Sequence, residues 1–244
     1  MSQLEPCQIL DWDTRFWGFR IARVNGSTLS AETQGRVREW CRAYQVRCLY
    51  FLASPSDPET TRVAEANGYR LVDVRVGLSW SMANGRSISM DTPGVTVRPA
   101  LPADREALVA IAGENYRDTR FAIDAGFAPE RCRSFYETWI LVSLDGYAQN
   151  VLVADLKGEP QGYVTCHLDS PGTGRIGLLG VNGSAQHHGI GRALVHSALA
   201  WFTATGASQV AVATQGRNVA AQRLYQRCGF FTESLGLWYH KWFE

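Results

Sequence analysis

Two short stretches of this chain hold residue types that could do chemistry together. The first, Gln186-His187-His188-Gly189-Ile190-Gly191-Arg192, lies between an apolar run (residues 176–181) and an amphipathic helix expected over residues 193–202. Gly189 and Gly191 carry no side chain to block close approach and can take positive φ, so successive N–H groups can point at one anion. The helix that follows adds its N-terminal dipole, and the whole reads as a pyrophosphate cradle. It lacks the Lys-Ser/Thr of a nucleoside-triphosphatase loop, and it falls late in the chain, unlike a dinucleotide fingerprint. The second stretch holds Asn218 at an expected helix N-cap and Tyr225 seven residues on. Seven steps of about 100° bring both to one helix face two turns apart, where an amide and a phenol could contact one extended ligand. A plain cap for Asn218 and a half-buried core phenol for Tyr225 are the structural alternatives.

Several elements must position these residues. Residues 7–24 read as strand, turn, strand around Asp11-Trp12-Asp13-Thr14-Arg15-Phe16-Trp17-Gly18, whose tryptophans serve either as a hydrophobic plug or in binding. A helix over 31–44, a strand over 48–53, a helix over 58–67 and a strand over 70–80 follow. Residues 83–94, rich in Ser, Asn and Gly, read as a linker. Beyond it come a strand at 95–100, a helix from Pro102 to about residue 115, an irregular stretch over 116–129 and a helix over 130–143. Strands at 150–156 and 161–168 flank the hairpin turn Lys157-Gly158-Glu159-Pro160. The strand at 175–181, the glycine loop and its helix, a strand at 209–213, a helix at 219–228 and a strand at 233–242 complete the order.

The chain also repeats itself. A shift of 161 positions lays Leu49-Tyr50-Phe51 on Val210-Ala211-Val212, Asp57 on Asn218, Gly68-Tyr69 on Gly229-Phe230 and Val76 on Leu237, with no gap. Each copy has a strand, a polar N-cap, a short helix and a glycine placed to end it. The first copy has no counterpart of the Gln186 loop, and Ala64 stands where the second has Tyr225. The first half therefore reads as a structural, partial copy that binds no second ligand of the same kind.

Bulk properties bound the rest. With 244 residues, 45% of them hydrophobic, the chain can bury one large core or two small ones. A net charge of +1 and the lack of a Lys/Arg stripe point away from nucleic acid and anionic membranes as partners. The six cysteines include no C-x-x-C pair, which argues against a zinc site and gives no disulfide framework. The start Met1-Ser2-Gln3-Leu4-Glu5 has no basic cluster, and no apolar run approaches the roughly 20 residues that span a bilayer, so a soluble cytoplasmic protein is expected.

The order strand, Gln186-x-x-Gly189-x-Gly191, helix, strand, Asn218, helix with Tyr225, Gly229-Phe230 and final strand resembles the GCN5-related N-acetyltransferase (GNAT) superfamily over residues 95–244. The resemblance implies an α/β (α+β) fold with a central mixed, mostly antiparallel sheet flanked by helices. A smaller α/β domain over residues 1–90 would be a degenerate partial copy beside the acetyltransferase domain at 91–244. It implies acetyl-CoA as donor, with no metal. Backbone groups of Gln186, His187, His188, Gly189, Ile190, Gly191 and Arg192 would hold its pyrophosphate. Leu179, Gly180 and Val181 would pair with pantetheine, Asn218 would contact the pantetheine arm, and Tyr225 would protonate the departing thiolate. A thiol and a phenol have ordinary pKa values of about 8.5 and 10, so a positioned tyrosine can hand over a proton as the C–S bond breaks. No His or Glu stands out as a base for the acceptor amine.

Over nearly the full length, Trp12-Asp13-x-x-Phe16-Trp17-Gly18, Thr119-Arg120-Phe121, Phe135-Tyr136-x-x-Trp139-Ile140, Arg175-Ile176-Gly177-Leu178-Leu179 and Trp238-Tyr239 resemble the TDP-fucosamine acetyltransferases of enterobacterial common antigen synthesis. That resemblance implies a nucleotide-linked amino sugar as acceptor, dTDP-4-amino-4,6-dideoxygalactose. Tyr116, Arg120, Phe121, Tyr136 and Trp139 would face it, Arg120 toward the diphosphate and the aromatics toward the base or deoxysugar. Core packing is the alternative for Phe135 and Trp139. A protein or small-amine acetyltransferase, which would want an acidic groove, and a non-catalytic acyl-CoA-binding module are the other readings. Monomer or homodimer is left open.

Overall fold

A computed structural model describes residues 5–84 and 94–244. Residues 1–4 and 85–93 lie outside the described residues, and with them the chain start and most of the linker that carries the expected domain boundary. The N-terminal half runs β1 (Cys7–Ile9), α1 (Asp11–Trp17), β2 (Ile21–Val24), α2 (Ala31–Ala43), β3 (Cys48–Ala53), α3 (Pro58–Ala66) and β4 (Arg70–Ser81). The second half runs β5 (Val95–Pro99), α4 (Arg105–Asn115), α5 (Arg120–Ile123), α6 (Pro129–Val142), β6 (Asn150–Leu156), β7 (Glu159–Ser170), β8 (Thr173–Val181), α7 (Ile190–Ala204), β9 (Gln209–Gln215), α8 (Val219–Arg227) and β10 (Phe231–Trp242).

Two local readings of the sequence are corrected. Residues 11–17 form a helix rather than a turn, with Asp11 and Asp13 in its first turn and Gly18 closing it at φ +82. The stretch at 116–129 is not wholly irregular: Thr119 caps the single turn α5 by accepting from Ala122 N.

The ten strands of the described residues form one sheet in the order β1-β2-β3-β10-β4-β9-β8-β7-β6-β5. Among the described residues only β2–β3 and β8–β9 pair in parallel, so the sheet is mixed and mostly antiparallel, with helices flanking it. The repeat is kept to the residue: both ends of α3 and of β4 recur 161 positions on as the ends of α8 and β10. The last strands of the two halves have exchanged places. β10 pairs with β3 and β4 pairs with β9, so β4 lies between β9 and β10. Even the registers correspond, since Leu237↔Ala53 and Tyr239↔Phe51 become Val76↔Thr214 and Leu78↔Val212 under the same shift. The exchange pairs one edge of β3 with β10 and one edge of β9 with β4 along their whole lengths.

This topology opens the sheet at one place in each half. β8 and β9 pair from Thr173↔Gln209 to Ile176↔Val212 and then part, β8 continuing along β7 and β9 along β4. Helix α7 packs beneath with Leu194, Val195, Ala198, Leu199 and Phe202, all fully buried. Gly174 makes room for the Phe202 ring, which a Cβ there would meet at 2.4 Å. A second, aromatic core gathers Trp17 of α1, Tyr50 of β3, Phe121, Phe127, Phe135 and Tyr136, so the first half packs directly onto α5 and α6.

Candidate active site

The opening between β8 and β9 is the mouth of a cavity of about 1580 Å³. One wall is the glycine loop. Asn182 accepts from Ser184 N to start a single 3-10 turn, and His187 (φ +67) and Gly189 (φ +82) then turn the chain into α7. The helix starts at Ile190, earlier than the expected residue 193, so Ile190, Gly191 and Arg192 are its first turn and their N–H groups have no partner four residues back. Gly191 accordingly has no positive φ. It is needed for packing, because a Cβ there would lie 3.1 Å from Leu224 Cδ2 of α8.

Of the residues expected on the donor side, Leu179, Val181, Gln186, His187, Gly189, Ile190, Gly191, Arg192, Asn218 and Tyr225 all line this cavity. Two face elsewhere. Gly180 is turned to the Tyr163 ring, and the His188 ring donates from Nδ1 to the Gln186 carbonyl at 2.8 Å. Asn218 caps α8, its Oδ1 accepting from Ala221 N at 3.0 Å, so what it can offer a ligand comes from its Nδ2. Tyr225 is buried against Phe230, and burial pushes its phenol above the ordinary range. It is therefore protonated at neutral pH. Nearby, the Tyr116 and Tyr163 hydroxyls are 3.2 Å apart, and Tyr116 stacks on Tyr136 with centroids 4.3 Å apart. Burial raises both phenols as well.

The other end of the cavity holds Tyr116, Arg120, Phe121, Tyr136 and Trp139, the residues expected to face an acceptor. Phe121 and Tyr136 are buried and reach the cavity with part of their rings, Trp139 is half-buried, and Phe135 is core. Arg120 is boxed by aromatic faces: its guanidinium carbon sits 4.2 Å from the Tyr50 and Trp238 centroids and 4.4 Å from that of Phe121.

The expected acceptor residues leave out others that line the same end: Asp13 of α1, Asp73 and Arg75 of β4, and Trp238 of β10, together with Trp12 of α1, for which binding is one of two readings. All but Trp238 come from the first half. Asp73 is 5% exposed, its Oδ1 has no hydrogen-bond partner among the described residues, and the nearest cation, Arg217 Nε, is 3.9 Å away. Burial raises its pKa, against the pull of Arg217. Asp13 is raised by burial too, partly offset by Arg120. The signal available in the sequence was the interruption of an apolar strand, Val72-Asp73-Val74, by an acid. It pointed nowhere without knowing that β4 crosses to β9.

Among the described residues, no three His, Cys, Asp or Glu side chains cluster as metal ligands, and no helix is long and apolar enough to cross a membrane. The six cysteines are buried and free.

Comparison with known proteins points to the same fold. Residues 114–230 match the family model described as Acetyltransferase (GNAT) family. The chain is 28% identical over 243 residues to a dTDP-fucosamine acetyltransferase of Escherichia coli, covering 98% of both chains. It is 27% identical over 157 residues to the spore coat polysaccharide biosynthesis protein SpsD of Bacillus subtilis, covering 62% of this chain and 52% of that protein. Among solved structures it resembles a GCN5-related N-acetyltransferase from Sphaerobacter thermophilus, with a TM-score of 0.68 at 19% identity over 97% of this chain and 76% of that one.

Proposed function

We propose, from the premise that this chain carries a GNAT acetyltransferase domain and is an acyltransferase, that it moves an acetyl group from acetyl-CoA to the amino group of a nucleotide-linked amino sugar. GNAT acetyltransferases use acetyl-CoA. The observation that carries the reading is one continuous cleft with the glycine loop at one end and Arg120, Trp139 and Trp238 at the other. The donor end suits CoA: unpartnered N–H groups of the α7 first turn face the pyrophosphate, and β8 from Leu179 to Val181 offers a strand edge to pantetheine.

The amine nitrogen attacks the thioester carbonyl carbon, a C–N bond forms, and the C–S bond breaks. Tyr225 gives its proton to the departing sulfur. The desolvation that raises this phenol also raises the thiol beside it, so the two stay matched well enough for transfer. The ammonium must lose a proton, and Asp73 is the acceptor we assign: a buried carboxylate with a free oxygen and a raised pKa. Asp13 and Asp73 draw the amine, and Arg120 and Arg75 draw the diphosphate. That mixture, rather than a uniformly acidic groove, favours a nucleotide-linked acceptor over a protein or polyamine. The Escherichia coli relative supports dTDP-4-amino-4,6-dideoxygalactose as the acceptor, and a role in enterobacterial common antigen synthesis goes with that proposal alone.

The test is to incubate the protein with acetyl-CoA and a panel of dTDP- and UDP-linked amino sugars, simple amines and peptides, and to weigh the products. Acetylation of a dTDP-linked 4-amino sugar ahead of the rest is expected. Acetylation of peptides or simple amines alone would overturn the reading.

A further inference from the structure

Arg120 makes no ion pair among the described residues, although it is a cation at the acceptor end of the cleft. A chain of neutral and anionic groups behind it takes the place of a counter-ion. Its Nη1 lies 3.1 Å from His240 Nε2, and His240 Nδ1 lies 2.6 Å from Asp124 Oδ2. Asp124 is itself anchored: Trp242 Nε1 donates to its Oδ2 at 3.0 Å and Gly126 N donates to its Oδ1 at 3.0 Å. The imidazole is 1% exposed and stacks on Tyr50 at 4.7 Å between centroids.

These contacts fix the tautomer. Asp124 is a carboxylate that can only accept, so Nδ1 carries the proton, and Nε2 is left with a lone pair that can only accept from Arg120. A charged imidazolium would put two donors face to face at 3.1 Å. The imidazole is kept neutral, its pKa lowered to about 4 chiefly by burial and in part by Arg120, against the pull of Asp124.

We propose that His240, oriented by Asp124, is a positioning residue that aims the Arg120 guanidinium at the acceptor's anionic group, with the Tyr50 and Trp238 rings as its side walls. One donor of the guanidinium is spent on His240, and the others stay directed to the cleft. The device joins the halves: Arg120 and Asp124 belong to α5 and the loop after it, His240 to the exchanged strand β10, and Tyr50 to β3 of the first half. The proposal deepens the acceptor reading above and rests on it for the identity of the anion, a diphosphate.

Two readouts test it. The first needs no substrate: long-range 1H–15N spectra of the full chain, which has five histidines, with His240→Gln used for assignment. His240 should be a neutral Nδ1–H imidazole at pH 7 whose Nε2 resonance moves in Arg120→Met. An Nε2–H tautomer, an imidazolium, or no response to Arg120→Met would overturn the proposal. The second is kinetic, with the panel sugar the wild type acetylates fastest. His240→Asn should raise the acceptor KM about tenfold with the acetyl-CoA KM unchanged, the scale of one charge-assisted hydrogen bond. Arg120→Met with His240→Asn should be no worse than Arg120→Met alone, and His240→Gln, whose carbonyl can take the place of Nε2, should restore most of the loss. An additive double variant, or loss falling on both substrates alike, would make His240 merely structural and sink the proposal. If no nucleotide-linked sugar is acetylated, the acceptor reading falls, and the tautomer alone decides the relay.

Discussion

The two halves open their sheet at corresponding places, and the two openings have become different things. In the second half, β8 and β9 part beside the free edge of β4, and the cavity measures about 1580 Å³. In the first half, β2 and β3 stand beside the free edge of β10, and the cavity is about 360 Å³. The linings correspond under the shift of 161: Leu52, Ala53 and Ser54 for Ala213, Thr214 and Gln215, and Ser234 and Gly236 for Asp73 and Arg75. What differs is chemistry. β2 ends at Val24 and six residues lead to α2, so the strand extension and the glycine loop of the second half have no room. Ala64, fully buried, replaces Tyr225, and Asp57 replaces Asn218 as the cap. Backbone registers persist because a strand slipped by one residue would turn its whole buried face to water, whereas polar lining residues can change at small cost to packing. The strand exchange adds a second lesson: Asp73 and Arg75, carried by the first half, line the second half's cavity.

Paired substitutions at corresponding positions can break or sharpen this contrast. The largest effect is expected from Asp73→Asn, which should lower kcat about 100-fold, whereas Ser234→Ala should leave it within about twofold. The base must be ionised, and burial raises the pKa of Asp73, so wild-type kcat should fall as pH drops through a value above the ordinary aspartate range. That limb should be missing from the residual activity of Asp73→Asn. Next comes Tyr225→Phe, expected to cost at least about tenfold in kcat with acetyl-CoA binding kept; unchanged turnover would remove the phenol from the mechanism. Asn218→Asp should raise the acetyl-CoA KM about tenfold by replacing the Nδ2 donor offered to the pantetheine arm with a carboxylate that can only accept, while Asp57→Asn, one good cap for another, should leave both KM values alone. The smallest effect should also be the most symmetric. Gly68→Ala and Gly229→Ala, at φ +77 and φ +90, should each destabilise by about 1 kcal/mol in denaturant unfolding, because both end a helix in the left-handed region. A large inequality between them would mean that the halves have diverged in structure as well as in chemistry.

The elements were legible where the signal is local. The ends of α8 and β10 are read to within about two residues from Asn218, Gly229 and the apolar pattern, and α3 and β4, read the same way, fall in line with them under the gap-free shift. The helix at Asp11–Trp17 reads as a turn because Asp11, Asp13, Thr14 and Gly18 are turn formers in so short a stretch, although two acids in the first turn and a closing glycine also fit a helix. The exchange of β4 and β10 could not be read at all, since a strand's pattern tells which face is buried and not which neighbour it finds. The residues lining the glycine-loop end of the cavity were legible because they sit in one contiguous loop and one helix. Asp13, Asp73, Arg75 and His240 were not, because each acquires its meaning from a partner more than a hundred positions away or from a strand in the other half.

The central claim, one competent cleft built on a duplicated frame, is tested most directly by calorimetric titration of acetyl-CoA into the full chain, alone and with Gly189→Val. One site per chain is expected for the wild type, and none for the variant, whose β-branched side chain cannot take the φ of +82 that turns the loop. Two sites per chain, or one site that survives Gly189→Val unweakened, would contradict it.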